Sequence, residues 1–393
     1  IVRAAELAKK ADAVIVCIGN DPMIVAREMY DRKTLSLPAH DSALAKAVYS
    51  ANNKCVMAVV SSYPFSRCEE QEYMPAIIYT THAGPELGNA FADVISGKYS
   101  PAGRLAQTWY KSEYELAPIE CYDIIENDMT YLYYRGKPLY PFGYGLSYAK
   151  FEYSDFDVKE NGDVISVSLD VTNVSETDSD EVVQIYFRME NPSVKRPLRQ
   201  LVAFARERIE CGRTRHFEFD IKKSELRFYD VSRERFAVEQ GRYTFMAGAS
   251  SEDIRLTKTI DVSGEIIPPR ELCKGVKAKN YDGKYGTKMK YSKKLEQHYM
   301  LGGGLIYNNC VLGEADSIEI VCGSRVNTGK ITVRYGGETL CEAEVKPTVD
   351  VTEFETVTSQ FDKAVLAGID REKPAVFELW MPEQIYILGF RTY

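Results

Sequence analysis

Along the first 120 residues, short apolar runs alternate with segments in which apolar side chains recur at helical spacing. AAELAKKA (4–11) precedes AVIVCIG (13–19), SALAKAVYSAN (42–52) precedes KCVMAVVSS (54–62), and PAIIYTTH (75–82) precedes PELGNAFADVISG (85–97). Val- and Ile-rich runs between helical segments predict α/β units around a parallel sheet, with both faces of the sheet buried. The core order reads βαβαβα. It opens on a helix and supplies only three strands, so the first half of this domain is expected upstream of Ile1, with the true start of the gene product there as well.

From about 148 the period changes to two. DVISVSLDVTNVS (163–175), EVVQIYFRM (181–189), RQLVAFARERIE (199–210), RHFEFDI (215–221) and RERFAVEQGRYTFMAGAS (233–250) alternate apolar and polar residues between evenly spaced turns, which predicts an antiparallel β-sandwich. VSGEIIPPREL (262–272) contains a Pro pair and reads as a linker. A second all-β region follows, with DSIEIVCGS (316–324), GKITVRYGG (329–337), AVFELWM (375–381) and IYILGFRTY (385–393) as its clearest strands. The expected fold is therefore multidomain α/β plus all-β. It consists of a partial parallel-sheet α/β sandwich with its tail over 1–147, a β-sandwich over 148–262, and a second, jelly-roll-like β-sandwich over 263–393.

Composition narrows the partners. A net charge of −8 over 393 residues opposes a phosphate backbone, and there is no basic block with interleaved aromatics, so nucleic acid is excluded and neutral ligands fit better. No apolar run approaches the roughly 20 residues of a membrane-spanning helix. The nine cysteines are odd in number, scattered, and mostly inside apolar runs with no CxxC pair. That pattern predicts reduced, buried thiols and a cytoplasmic rather than a secreted setting. The four His residues (40, 82, 216, 298) lack metal-ligand spacing, no GxSxG elbow occurs, and GPELGNA (84–90) is not GxGxxG, so neither a metal nor a dinucleotide cofactor is expected. A homo-oligomer is compatible with the sequence.

Chemistry is expected where the loops of a parallel sheet converge, outside the carboxyl ends of the strands. Three loops qualify: Gly19 to Pro38, SSYPF (61–65) and THAGPE (81–86). The first is far longer than the usual 2 to 6 residues or so of such connections. Within it, AREMYDRKTLSLP (26–38) carries Arg27, Glu28, Asp31, Arg32 and Lys33 among apolar residues that can pack it. It reads as a disordered segment, as a solvated charge cluster or as a built site. An Arg beside a carboxylate lowers its pKa and partial burial raises it, so one of Glu28 and Asp31 can keep a proton while the other stays ionised. Tyr63 and His82 stand on the neighbouring loops, His82 reading more readily as a hydrogen-bonded packing residue than as a catalyst.

These segments resemble the C-terminal part of family 3 glycoside hydrolases. The resemblance rests on GNDPMIVAREMYDRKTLSLP (19–38), VSSYPF (60–65), HAGPELGNAFADVISGKYSPAGRLAQTWY (82–110) and DMTYLYYRGKPLYPFGYGLSYAKFEYS (128–154). It continues through EVVQIYFRMENPSVKRPLRQLVAFARERI (181–209) and GRYTFMAGASSEDIRL (241–256) into a fibronectin type III-like domain, covering about 1 to 262. What it implies is a retaining, exo-acting β-glycosidase of the β-glucosidase or β-xylosidase type, acting on terminal non-reducing sugars. Glu28, in the family's Glu-x-x-Asp-Arg arrangement, would be the general acid/base, with Arg27, Asp31, Arg32, Tyr63 and His82 in positioning or substrate-binding roles. The Asp nucleophile would lie on a (β/α)8 barrel domain outside this chain, in the same gene product or in a separate chain. Met29 departs from the small residue usual at its position. The alternative from another class is a non-catalytic carbohydrate-binding or scaffold protein with the same folds. Residues 263–393 are more loosely similar to β-sandwich carbohydrate-binding modules, with Tyr299, Tyr307 and Trp380 available as sugar platforms or as core.

Overall fold

The computed structural model describes residues 1–21, 32–66, 68–348 and 353–393. Two compact units emerge: Ile1–Glu190 with Pro197–Glu225 and Arg242–Asp261, and Asn191–Arg196 with Leu226–Gly241 and Val262–Tyr393.

The first unit opens with α1 (Val2–Ala8), β1 (Val14–Gly19), α2 (Ala39–Ala51), β2 (Cys55–Val60), α3 (Cys68–Tyr73), β3 (Ala76–Thr80) and α4 (Leu87–Ile95). The three strands are parallel in the order β1-β2-β3, with Val14 opposite Cys55 and Val56 opposite Ala76. One face carries Val16, Ile18, Cys55, Met57 and Val59, all buried in a core with Ala8 of α1, Ala45 and Val48 of α2, and Met74. Each large aliphatic side chain so buried contributes about 1.5–3 kcal/mol.

The second face corrects the expectation of a sheet covered on both sides. Ile15 is 51% exposed and Cys17 is exposed, while no residue of α4 is buried despite its apolar Leu87, Phe91 and Val94. The reason is that α4 stands off this face. A cavity of about 810 Å3 lies there, lined among others by Val56, Ile78 and Thr80 of the sheet, Val94 and Ile95 of α4, and Trp109.

The tail of the α/β region, about 101–148, is fastened to the β-sandwich that follows. That sandwich pairs β4 (Phe151–Asn161), β5 (Val164–Asn173) and β8 (Thr214–Lys222) in one antiparallel sheet. β6 (Ser179–Met189), β7 (Gln200–Ile209), β11 (Gly241–Gly248) and β12 (Ile254–Val262) form the other, in the order β12-β11-β6-β7. β5 shows the predicted alternation, with Ile165, Val167, Leu169 and Val171 buried. Gln184 of β6 donates through Nε2 to the carbonyls of Gly143 (3.1 Å) and Ala249 (2.7 Å), and its Oε1 accepts from Tyr186 (2.6 Å). Gly143 has φ +80°, and a Cβ there would lie 2.0 Å from Gln184 Oε1, so the PFGYG string needs its glycine at this point. Beside it Tyr131 stacks on Phe142 at 4.2 Å, and the Ser251 amide donates to the Phe142 carbonyl at 2.9 Å. Arg104 of the tail pairs with Glu181 of β6 at 3.0 Å, their side chains only 10% and 2% exposed, and Tyr153 also donates to Glu181, at 2.7 Å.

In the second unit the hairpin of β9 (Phe228–Asp230) and β10 (Arg235–Ala237) accompanies an all-β module. Its strands are β13 (Arg270–Glu271), β14 (Val276–Lys277), β15 (Gly283–Tyr285), β16 (Lys288–Ser292), β17 (Gln297–Val311), β18 (Ser317–Ser324), β19 (Gly329–Tyr335), β20 (Glu338–Val345), β21 (Glu355–Gln360) and β22 (Ala375–Thr392). The long β22 lies between β17 and β18 and also pairs with β19. The Pro-Pro segment read as a linker runs directly into this sheet. Arg270 pairs in parallel with Cys310 of β17, and its buried guanidinium meets Asp282 at 3.2 Å over the Tyr307 ring. Tyr299 and Tyr307, 7% and 0% exposed, are core residues rather than platforms.

Two consequences can be measured. Glu181→Ala strands a buried Arg104 charge, so it should lower the urea-unfolding free energy by about 3–5 kcal/mol, whereas Arg104→Met combined with Glu181→Leu should recover most of the loss. An additive double variant would contradict the pairing. In the second unit, hydrogen bonds from Arg235 and Arg233 hold the Glu265 carboxyl down at about 2 instead of its ordinary 4.5. Its folded value is depressed, so the stabilisation is full above pH 4.5 and is lost as pH falls toward 2. Thermal melts of Glu265→Gln should therefore lie below those of the parent at neutral pH and converge with them over that acid window.

Candidate active site

β1 ends at Gly19 because nothing larger fits: a Cβ there would sit 1.8 Å from the Val60 carbonyl oxygen. The close approach brings the end of β1 against the end of β2, and Asn20 then uses three groups. Its amide donates to the Val60 carbonyl (3.1 Å), its Oδ1 accepts from the Ser62 amide (3.1 Å), and its carbonyl meets His82 Nε2 at 3.0 Å. A carbonyl only accepts, so Nε2 of His82 carries a proton. In the neutral ring Nδ1 is then the acceptor for the Ser62 hydroxyl, 2.8 Å away. The ends of all three parallel strands are thus tied through one imidazole.

The second loop is fixed from within. Ser61 is fully buried, its Oγ accepting from the Tyr63 amide (3.0 Å) and donating to the Tyr63 carbonyl (2.9 Å), while its own amide reaches the Thr80 carbonyl of β3 (3.0 Å). This turn presents Tyr63 and Phe65. The Arg32 guanidinium lies over both rings, 5.4 Å and 4.9 Å from their centroids. Burial lowers the pKa of Arg32, and its Nη1 has no hydrogen-bond partner among the described residues. Beyond it, the Leu35 carbonyl accepts from the Ser66 amide (2.8 Å) and Leu37 is buried.

The predicted residues thus fall into two groups rooted in SSYPF, Arg32 with Tyr63 and Phe65, and His82 with Ser62 and Asn20. Arg27, Glu28 and Asp31 lie outside the described residues. Sequence reasoning passed over Asn20, Ser61, Ser62 and Asp41. Asp41, buried at the start of α2, receives the Gly19 amide at 3.4 Å and pairs with His40 at 2.9 Å. Both line a cavity of about 350 Å3 with Cys17, Asn20 and Asp21. The signal for Asn20 was its place directly after a strand, and for the serines their place at the next strand end. Among the described residues no group of three or more His, Cys, Asp or Glu side chains is arranged to hold a metal ion.

Residues 1–148 match the glycosyl hydrolase family 3 C-terminal domain, and residues 181–251 a fibronectin type III-like domain. A β-glucosidase of Kluyveromyces marxianus is 33% identical over 283 residues, covering 68% of this chain and 33% of its own length. A xylan 1,4-β-xylosidase of Xylanibacter ruminicola is 32% identical, covering 64% of this chain and 30% of its own length. The crystal structure of the Kluyveromyces marxianus β-glucosidase in complex with glucose superposes with a TM-score of 0.62 at 32% identity, over 67% of this chain and 33% of that one. The chain spans about a third of the length of these relatives. Through its first 148 residues the chain belongs to glycoside hydrolase family 3, carrying that family's C-terminal domain with a fibronectin type III-like domain after it.

Proposed function

We propose that this chain is the acid/base-bearing portion of a retaining, exo-acting β-glycosidase that releases terminal non-reducing β-linked glucose or xylose. Glu28 is the general acid/base and the Asp nucleophile comes from a (β/α)8 barrel domain outside these residues. The observation that carries the assignment is the anchoring of the loop on both sides of residues 22–31. Asn20 is bonded to both neighbouring strand ends on one side, and Arg32 is seated on Tyr63 and Phe65 on the other. A proton donor must be held to a fraction of an ångström at the glycosidic oxygen, and a tether at each end of a loop is one way to hold it.

In the first half-reaction Glu28 gives its proton to the leaving oxygen while the nucleophile forms a bond to the anomeric carbon. In the second, Glu28 takes a proton from water as that water displaces the enzyme carboxylate, restoring both groups. Arg32, a half-buried cation with an open Nη1, supports the pairing of one carboxylate of the loop in its ionised form. The names of the relatives support β-glucosides and β-xylosides as the substrate class.

The decisive assay uses Glu28→Gln in the enzyme completed by its barrel. An aryl glycoside with a poor leaving group should lose about 10²–10⁴-fold in the glycosylation step, while one with an activated leaving group keeps that step nearly intact. Equal loss on both substrates, or no loss, refutes the role. A second measurement concerns His82, which acts through Asn20 and Ser62. His82→Ala should speed amide hydrogen exchange over residues 20–32 while leaving exchange in β5 and β6 unchanged; uniform acceleration would reduce His82 to a general stability residue.

A further inference from the structure

The second unit carries a pair of nearly parallel aromatic rings on one face of its sheet. Trp380 of β22 stands in register between Gly304 of β17 and Thr332 of β19, and Gly304 in turn faces Tyr285 of β15. The Trp380 six-membered ring lies over Gly304: a Cβ at that glycine would come within 2.7 Å of it. Tyr285 runs nearly parallel to Trp380, at an interplanar angle of 12° with centroids 5.7 Å apart, and is 60% exposed. Two residues back along the same face, Glu378 lies between Ile306 and Arg334, about 7 Å from Trp380 by strand geometry. Neither Glu378 nor Arg334 is ion-paired among the described residues, although they are cross-strand neighbours. Trp380 Nε1 is buried with no hydrogen-bond partner among the described residues.

We propose that this face is a carbohydrate-binding platform for a β-1,4-linked pyranose chain. Offset parallel rings present a flat apolar surface of the kind that covers the C–H face of an equatorially substituted pyranose. A free carboxylate and a free guanidinium on the adjoining register row offer an acceptor and donors to the hydroxyls at the sugar's rim. Nucleic acid, whose bases also stack on aromatic rings, is disfavoured by the chain's net charge of −8. Gly304 is what makes the platform flat, because any side chain there would lift Trp380 off the sheet.

The test titrates the full chain with cellohexaose and with xylohexaose. Trp109, the other of the two tryptophans, is 2% exposed, so acrylamide quenching reports on Trp380. Saturable binding in the millimolar range or tighter, with protection of Trp380 from quenching, is expected from at least one oligosaccharide. Tyr285→Ala, an exposed position that should leave the circular dichroism spectrum unchanged, should weaken binding about tenfold or more. Absence of binding by both sugars overturns the proposal. So does binding that Tyr285→Ala leaves intact, which would put the sugar elsewhere on the chain. A wild-type dimer that Tyr285→Ala dissociates, with no sugar bound, would assign the face to a second copy and also overturn it. Because Glu28→Gln reports only on hydrolysis and Tyr285→Ala only on this face, either reading can fail without the other.

Discussion

Parallel strands are joined only by crossovers, so each strand of a β1-β2-β3 sheet delivers its following loop to the same edge. The candidate site depends on that constraint. Three loops leave β1, β2 and β3 side by side, and the close packing of Gly19 on the Val60 carbonyl brings the first two within bonding distance. His82 completes the arrangement. Its ring has two nitrogens on opposite sides, one meeting the Asn20 carbonyl and the other the Ser62 hydroxyl, so a residue from the third loop fixes the first and second together. A methionine or leucine of similar volume could fill the space but could not satisfy both oxygens.

The most recognisable string in the chain does a different task. PLYPFGYGLSY has its Gly143 carbonyl on Gln184 and its Phe142 ring on Tyr131. Together with the buried Arg104–Glu181 pair, these contacts join the α/β region to the β-sandwich through oriented polar bonds. Such bonds tolerate little sliding, since a small displacement leaves a buried charge or amide unpaired.

Much of this was legible in the sequence, and the failures have physical causes. VIVCIG, CVMAVV and DVISVSLDVTNVS became the expected strands because their periodicity is a local property. The charged loop was read from its length and from Arg27, Glu28, Asp31 and Arg32, of which only Arg32 is among the described residues. The Asn20–Ser62–His82 network was not, because it joins residues 42 and 62 positions apart that meet only after the sheet forms. The C-terminal aromatics failed for another reason. Tyr299 and Tyr307 share a parity and would face the same side of a regular strand, yet the register shifts between Leu301 and Gly303. After that bulge Tyr307 packs in the main core, while Tyr299 belongs to a separate cluster with Leu301 and Tyr386. The irregularity, which leaves Gly302 of β17 unpaired, reverses which face the β17 side chains occupy as far as the next register shift after Tyr307, and Tyr285, across from Gly304, is exposed.

Arg32 brings a seated cation to the end of the loop in which the proton donor is proposed. Its guanidinium is already half withdrawn from water over two aromatic rings, with an unpartnered Nη1, and stays charged because arginine does not release its proton near neutral pH. A fixed cation of this kind favours an ionised carboxylate beside it and lowers that group's pKa. Any surface that closes over the loop acts in the opposite sense, removing water and raising the pKa of the carboxyl that lacks such a partner. The proton-donor role proposed for Glu28 relies on that second effect.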